Sequence, residues 1–186
     1  MKRGIAVVLI ACLLCGCKDN DSHIKQAIEI RKDILAANNC TFEAVITADY
    51  GELLYTFQMD CVMDHDGSMS FTVTDPETIA GITGCISGED ASLTFDDKVL
   101  SFPMLVEGQL TPVSSPWFFI NAFIGGYITG CSSNNEELCL YIDDSFAENT
   151  LNLEIYCDKQ FHPQHVDFYW KQQRVLSADI RNFSIQ

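Results

Sequence analysis

One pair of closely spaced histidines is the first candidate for chemistry, because imidazole rings bind metals and transfer protons. His162 and His165 are separated by Pro163 and Gln164, and Asp167 follows two residues later. Metal sites favour histidines that are four residues apart on a helix or that flank paired strands, and the proline disturbs both arrangements. We interpret the segment as a solvated turn and predict no metal site.

Two other stretches contain parts of ligand-binding motifs. Asp64-His65-Asp66-Gly67 begins like a calcium loop but lacks the glutamate that an EF-hand requires at its end. The glycine-rich residues 125–130 lack the lysine of a phosphate-binding loop, and the chain has no GxSxG elbow or convincing Cys–His pairing. We therefore predict no cofactor and no enzymatic activity, although sequence alone does not exclude a site made of dispersed residues.

The chain has nine cysteines. Three of them lie near the N-terminus, and the other six are widely spaced without a CxxC pair, which argues against a zinc cage or a thioredoxin-like redox motif. These six are Cys40, Cys61, Cys85, Cys131, Cys139 and Cys157. Their even number is compatible with three disulfides in an exported domain, and buried free thiols are the alternative.

The N-terminus has the three parts of a secretory signal. Lys2 and Arg3 precede an apolar run over residues 4–14, which is shorter than the roughly 20 residues of a membrane-spanning helix. Leu14-Cys15-Gly16-Cys17 closes the run and resembles the lipobox of bacterial lipoprotein signal peptides. An ordinary signal peptide or a short anchor is the alternative.

The lipobox resemblance implies that residues 1–16 are removed and that Cys17 receives acyl chains. Residues 17–21 would then form a lipidated tether, and residues 22–186 would form a single domain on the outer side of a cell membrane. Two or three acyl chains give stable anchoring where a single chain is marginal.

The charge balance argues against nucleic acid as a partner. The formal net charge is −15, and it becomes −17 once Lys2 and Arg3 are removed. Binding to phosphates or to anionic lipid surfaces needs a basic patch, so the membrane link would have to be the acyl chains on Cys17. A hydrophobic fraction of 47% with twelve phenylalanines indicates a folded domain rather than an acidic disordered chain.

Periodicity predicts one long helix followed mainly by strands. Residues 23–37 have helical spacing after Ser22, a plausible N-cap. The apolar stripe of this helix consists of Ile24, Ala27, Ile28, Ile30, Ile34 and Leu35. From Cys40 the period changes to two, which predicts antiparallel strands joined by short turns such as the Asp66-Gly67 hairpin. Eleven strands are expected at 40–49, 53–63, 69–74, 82–87, 92–95, 99–106, 127–131, 138–142, 151–157, 166–170 and 174–180.

An apolar stretch interrupts the strands between the sixth and the seventh. Residues 112–126 have helical spacing, and Ser114, Ser115 and Pro116 form a good helix start. The stretch is too short to span a bilayer. We expect this second helix to bury itself against the sheet.

This order of elements resembles the superfamily of lipoprotein-localisation carriers, which includes periplasmic lipoprotein carriers and mycobacterial lipid-binding lipoproteins. Residues 174–183 look like the terminal strand of many such lipoproteins. The resemblance implies an α+β, mainly antiparallel fold. The implied sheet has about eleven strands and forms a strongly curved, incompletely closed barrel. An N-terminal helix and an apolar lid helix accompany this barrel. Because few side chains fill so curved a sheet, the superfamily uses the concave face as an apolar cavity.

The resemblance suggests where an apolar ligand, such as an acyl chain, would bind. Met and Phe suit such a site because Met adapts its shape and Phe supplies contact area. The candidate lining residues are Phe57, Met59, Met69, Phe71 and Val73, and the candidate lid residues are Trp117, Phe118, Phe119, Phe123 and Ile124. A core filled by the same side chains is the alternative. An envelope scaffold that binds a protein partner, for example in spore germination, is the other functional hypothesis.

Overall fold

A computed structural model describes residues 18–49, 51, 53–88, 90–106, 109–134, 137–146 and 150–186. The predicted signal segment, the lipobox and Cys17 lie outside the described residues. Side chains are described from Ser22 onward, with further gaps at 105–109 and at 134.

Eleven strands of the described residues form one antiparallel sheet in two consecutive meanders. The first meander contains β1 (Asn39–Asp49), β2 (Leu54–Asp64), β3 (Met69–Asp75), β4 (Thr83–Ser87), β5 (Asp90–Phe95) and β6 (Lys98–Ser101). The second contains β9 (Tyr127–Asn134), β10 (Glu137–Asp143), β11 (Leu151–Cys157), β12 (Pro163–Trp170) and β13 (Gln173–Ile185). β7 (Leu105–Val106) and β8 (Gln109–Leu110) pair separately as a short ribbon.

Pairing between β1 and β13 joins the two meanders, and β6 and β9 remain as the edges of an unclosed sheet. This arrangement confirms the predicted fold class. Burial alternates along β1, where Phe42, Ala44 and Ile46 are buried and the residues between them are partly exposed. The sheet therefore has an apolar inner face, on which the helices pack, and a more polar outer face.

The N-terminal helix α1 (Lys18–Ala36) begins five residues before its predicted start, so Ser22 lies within it and is not the N-cap. The backbone of residues 18–21, which were predicted to belong to a tether, is helical. The predicted apolar stripe included residues that do not face the core. Ala27 and Ile34 are buried, but Ile28 and Leu35 are exposed. None of the helices in the described residues is both long enough and apolar enough to cross a membrane.

The apolar interruption is a short 3-10 turn, Pro112–Ser114, followed by helix α2 (Ser115–Gly125), as predicted. Ser114 and Ser115 are fully buried, and their hydroxyls donate to the carbonyl oxygens of Met104, Thr111 and Pro112 at 2.7–2.9 Å. These hydrogen bonds satisfy the polar groups that the start of an apolar helix buries.

Several predicted strand boundaries were wrong, and three of the differences have a clear structural reason. β6 ends at Ser101 rather than continuing to residue 106, since Pro103 has no N–H to donate to a sheet ladder. β12 begins three residues early, at Pro163, after a turn in which the Asp158 carboxylate accepts from two backbone amides. β13 extends to Ile185 because Asn182, with φ of 53°, permits a bend that keeps the strand paired with β1.

The predicted hairpin turn between β2 and β3 is confirmed. Gly67 has φ of 82°, and the Asp66 carboxylate accepts from the Ser68 hydroxyl at 2.6 Å and from its amide at 2.9 Å. These bonds hold the pKa of Asp66 below its usual value. The site is a turn with its own internal hydrogen bonds, as the missing glutamate predicted.

All six cysteines after Cys17 are free thiols, which decides between the two alternatives left open by the sequence. Five of them are buried, and Cys85 is exposed. Four of the buried thiols, all except Cys139, lie in the hydrophobic core and behave there as small hydrophobic groups.

Candidate functional site on the inner face of the sheet

The five predicted lining residues lie on the inner face of β2 and β3. Phe57, Met59, Met69, Phe71 and Val73 are each at most 8% exposed. They share one face because strand side chains alternate and because the register pairs Met59 with Val73 and Met63 with Met69. The structure therefore brings this predicted set together, as buried side chains.

The predicted lid residues on α2 divide into two groups. Phe119 and Phe123 are fully buried, and the Phe119 ring meets the ring of Phe42 on β1 edge-on, with centroids 5.6 Å apart. Trp117, Phe118 and Ile124 are partly exposed, and the Trp117 and Phe118 rings are perpendicular to each other. The first group thus fills part of the concave face, while the second lies at its boundary.

Two polar contacts hold α2 in this position. The Trp117 indole N–H donates to the Gly67 carbonyl oxygen in the β2–β3 turn at 3.1 Å. At the other end of the helix, Arg31 on α1 donates from Nε to the Phe123 carbonyl oxygen at 2.6 Å. A cation at these C-terminal carbonyls also interacts favourably with the helix dipole. Burial lowers the pKa of Arg31 from its ordinary value.

A small cavity remains between α1, α2 and the β2–β3 turn. It measures about 120 Å³. Its apolar lining includes Ile34, Cys40, Met63 and Ile124, of which Ile124 was a predicted site residue. At about 30 Å³ for each molecule of liquid water, this volume corresponds to only a few waters. It is too small for an acyl chain unless α2 moves.

The inner face extends beyond the part that α2 covers, and the set of lining residues predicted from the sequence does not include this extension. The register aligns Phe71, Gly84, Leu93 and Leu100 across β3 to β6, and directly paired residues share a face. Exposure rises along this row from 3% at Phe71 to 66% at Leu100. We call these four residues the inner apolar row.

Gly84 leaves space for the ring of Phe71 within this row. A Cβ atom built on Gly84 would lie 2.2 Å from Cζ of Phe71, so the phenylalanine ring extends across β4 into the space that the glycine leaves. The Phe71 ring thus forms the boundary between the filled part of the concave face and the open part. Period-two alternation could have placed Leu93 and Leu100 on one face, but it carries no information about how far a helix covers that face.

The histidine pair lies apart from this region. Nδ1 of His165, on the outer face of β12, is 2.6 Å from an Asp179 carboxylate oxygen, and its Nε2 is 3.4 Å from Asp167. His162 lies 3.8 Å from Asp158. The part of the chain that the structure describes contains no group of three or more side chains arranged to hold a metal ion.

Comparisons with known proteins return matches among solved structures only, since neither a family model nor a curated protein matches the sequence. A LolA superfamily protein from Nitrosomonas europaea is 10% identical, with a TM-score of 0.44 over 87% of this chain and 93% of that one. The lipoprotein LppX of Mycobacterium tuberculosis is 12% identical, with a TM-score of 0.42 over 88% and 92%.

A chain in the complex of the CwlD amidase with the GerS lipoprotein, from Clostridioides difficile, is 12% identical, with a TM-score of 0.47 over 91% and 98%. One of these matches is described as a member of the superfamily that the sequence resembles, and all three are at most 12% identical to this chain.

Proposed function

We propose that this protein is a membrane-anchored, non-enzymatic lipoprotein that binds an acyl chain or a similar apolar ligand along the inner apolar row. One observation carries the proposal: the apolar inner face continues past α2 to Leu100, which is 66% exposed. Aligned apolar side chains that are left open on a concave face mark a binding groove more often than isolated exposed ones do.

Neighbouring side chains support an elongated apolar ligand. Phe102 and Met104 follow the row along the chain, and Trp117 and Phe118 lie on the partly exposed end of α2; all four are partly buried against the core. Aromatic rings and methionines provide contact area without fixed polar partners. A ligand in the row would reach the buried rings of Phe119 and Phe123 only if α2 moved.

Leu100→Asp tests the proposal, with Val99→Asp as its matched control. The two residues are adjacent on the edge strand β6 and similarly exposed, at 66% and 70%, but they face opposite sides of the sheet. Burying a leucine contributes about 1.5–3 kcal/mol, so Leu100→Asp should weaken binding of a fluorescent long-chain fatty acid roughly tenfold to a hundredfold. Val99→Asp should leave binding unchanged.

Native mass spectrometry after gentle extraction provides an independent measurement. The wild-type protein should carry bound lipid, and the Leu100→Asp variant should lose it. Equal loss in both variants, or no bound lipid in the wild-type protein, would contradict binding along this row.

The anchor is tested separately. If Cys17 carries acyl chains, cells fed with an alkyne-labelled palmitate should label the wild-type protein but not a Cys17→Ser variant. Labelling of both proteins would mean that another residue is acylated.

An envelope scaffold that binds a protein partner is the second candidate. The observation that favours it is the filled centre of the concave face, where Phe119, Phe123 and Ile120 are fully buried. A stoichiometric partner recovered from membranes together with a lipid-free protein would support the scaffold over the ligand-binding function.

A further inference from the structure

A second concave surface lies on the outer face of the second meander. It is a groove of about 440 Å³ across β9 to β12. Its side chains are aromatic, acidic and amide-bearing, unlike those of the inner face. The residues that define this outer tyrosine groove are Thr129, Tyr141, Asp143, Asn152, Glu154 and Tyr169.

The register explains why these side chains meet. Tyr141 on β10 pairs with Glu154 on β11, which in turn pairs with Asp167 on β12. Gly130 on β9 lies opposite Tyr141 and has no side chain, so the tyrosine ring lies over the glycine with Cδ2 3.6 Å from where a Cβ atom would be. The Tyr141 hydroxyl lies 3.0 Å from the Ser132 hydroxyl, and Tyr141 is 36% exposed.

Glu154 is the charged centre of the groove. Its Oε2 accepts from the Tyr156 hydroxyl at 3.0 Å and from the Tyr169 hydroxyl at 3.5 Å. Burial, followed by the contact with Glu154, raises the pKa of both tyrosines, so they remain neutral donors at physiological pH. Both donors are uncharged, so they leave the negative charge of the Glu154 carboxylate in place.

Within the described residues, no lysine, arginine or histidine lies within ion-pair distance of Glu154 or Asp143. Asp143 accepts from the Asn152 amide at 2.7 Å, which is again a neutral donor. Arg174 pairs with Tyr169 across β12 and β13, and its Nη1 forms an ion pair with an Asp167 carboxylate oxygen at 3.1 Å. The groove therefore has uncompensated negative charge beside tyrosine faces.

We propose that the outer tyrosine groove binds an arginine side chain of a protein partner. A planar guanidinium can bond a carboxylate and stack on an aromatic ring at the same time, and the lining supplies both groups. Oε1 of Glu154 accepts no hydrogen bond from the described residues, whereas Oε2 has two, so one carboxylate oxygen is available. The amide of Gln172 at the rim suits the peptide backbone on either side of the arginine.

This site is independent of the proposed ligand site, because the two lie on opposite faces of the sheet. A glutamine at position 154 keeps the size of the side chain and removes its charge. Asp60 is the matched control position: it is an exposed acid on the outer face of β2, in the other meander. Glu154→Gln and Asp60→Asn change the net charge equally.

The experiment uses the extracted full chain and a short capped peptide with one arginine between glycines, titrated by calorimetry or by NMR. The arginine peptide should bind at least roughly tenfold more tightly than the same peptide with citrulline, which is neutral but nearly isosteric. Glu154→Gln should reduce arginine-peptide affinity to the citrulline level, and Asp60→Asn should change it less than about twofold. Fatty-acid binding measured on the same samples should be the same in both variants.

Three results would overturn the proposal. The first is equal binding of the arginine and citrulline peptides, and the second is equal weakening of arginine-peptide binding by Glu154→Gln and Asp60→Asn. The third is binding of phosphatidylcholine vesicles, instead of the peptide, that depends on Glu154; this result would mean that the groove binds a membrane. If Glu154→Gln does not fold, Tyr141→Ser at the exposed rim serves instead. It should weaken the arginine peptide by roughly threefold and leave the citrulline peptide unaffected.

Discussion

Replacing Gly84 with alanine should lower the free energy of unfolding, because the space beside this glycine is occupied. Gly84 sits within β4, directly opposite Phe71 on β3, and has an ordinary backbone conformation rather than a positive φ. A Cβ atom at this position would lie 2.2, 2.6 and 2.8 Å from three atoms of the Phe71 ring. Contacts this short require the ring to move.

The size of the effect follows from two opposing terms. Phe71 is only 3% exposed and packs within the core, so moving its ring forces neighbouring side chains out of place, at a cost of about 1–3 kcal/mol. Alanine also restricts the unfolded chain more than glycine does, which stabilises the folded state by about 0.4–1 kcal/mol. The net expectation is a loss of about 1–2 kcal/mol in the free energy of unfolding.

Gly130→Ala is the control, because Gly130 is also a strand glycine opposite an aromatic ring. A Cβ atom there would lie 3.6 Å from Tyr141, an ordinary van der Waals contact. We expect Gly130→Ala to be neutral or slightly stabilising. In thermal unfolding followed by circular dichroism, Gly84→Ala should lower Tm by about 2–8 °C relative to the wild-type protein.

A double-mutant cycle assigns the effect to the ring. Phe71→Leu shortens the side chain that the new methyl group meets, so Gly84→Ala should cost roughly 1 kcal/mol less in the Phe71→Leu background. Additive effects of the two substitutions, or equal effects of Gly84→Ala and Gly130→Ala, would refute the reasoning.

Two further predictions concern the lid helix and the thiols. Arg31→Met removes the charged donor at the C-terminal carbonyls of α2 and should cost about 1–2 kcal/mol while speeding amide exchange in α2. Lys32→Met, which breaks only an exposed pair with Glu29, should cost less than about 0.5 kcal/mol; equal costs would contradict a role for Arg31 in holding α2. Burial raises the pKa of Cys40 to about 12 and of Cys139 to about 11, so of the six cysteines after Cys17 only the exposed Cys85 should react quickly with a disulfide reagent in the folded protein. Rapid thiol labelling that persists in a Cys85→Ser variant would contradict this.

Much of the fold could be predicted because strand alternation and turn residues are local. The Asp66-Gly67 turn and the alternation of Phe42, Ala44 and Ile46 depend on interactions within a few residues. The extent of β13 depends instead on a contact between distant segments, because the strand continues through Asn182 only where β1 is long enough to pair with it. Likewise, the exposure of Leu35 depends on where α1 lies against the rest of the molecule.

The candidate sites divide in the same way. Period-two spacing predicted that Phe57, Met59 and Phe71 share a face, since side-chain direction in a strand follows from position alone. It did not predict that α2 fills the space above this face, or that Leu100 remains uncovered. The outer tyrosine groove was missed because Tyr141, Glu154 and Tyr169 come from three strands and meet only through their register.

The sequence by itself determined the element order, the antiparallel class, the acidic net charge and the lipobox resemblance at Cys17. Each of these depends on composition or on local spacing. The tertiary structure alone decided that the six cysteines remain thiols, that the centre of the concave face is filled, and that Glu154 meets tyrosines rather than a cation. The reason is that pairing, burial and charge compensation depend on distances between residues far apart in the chain, and packing sets those distances.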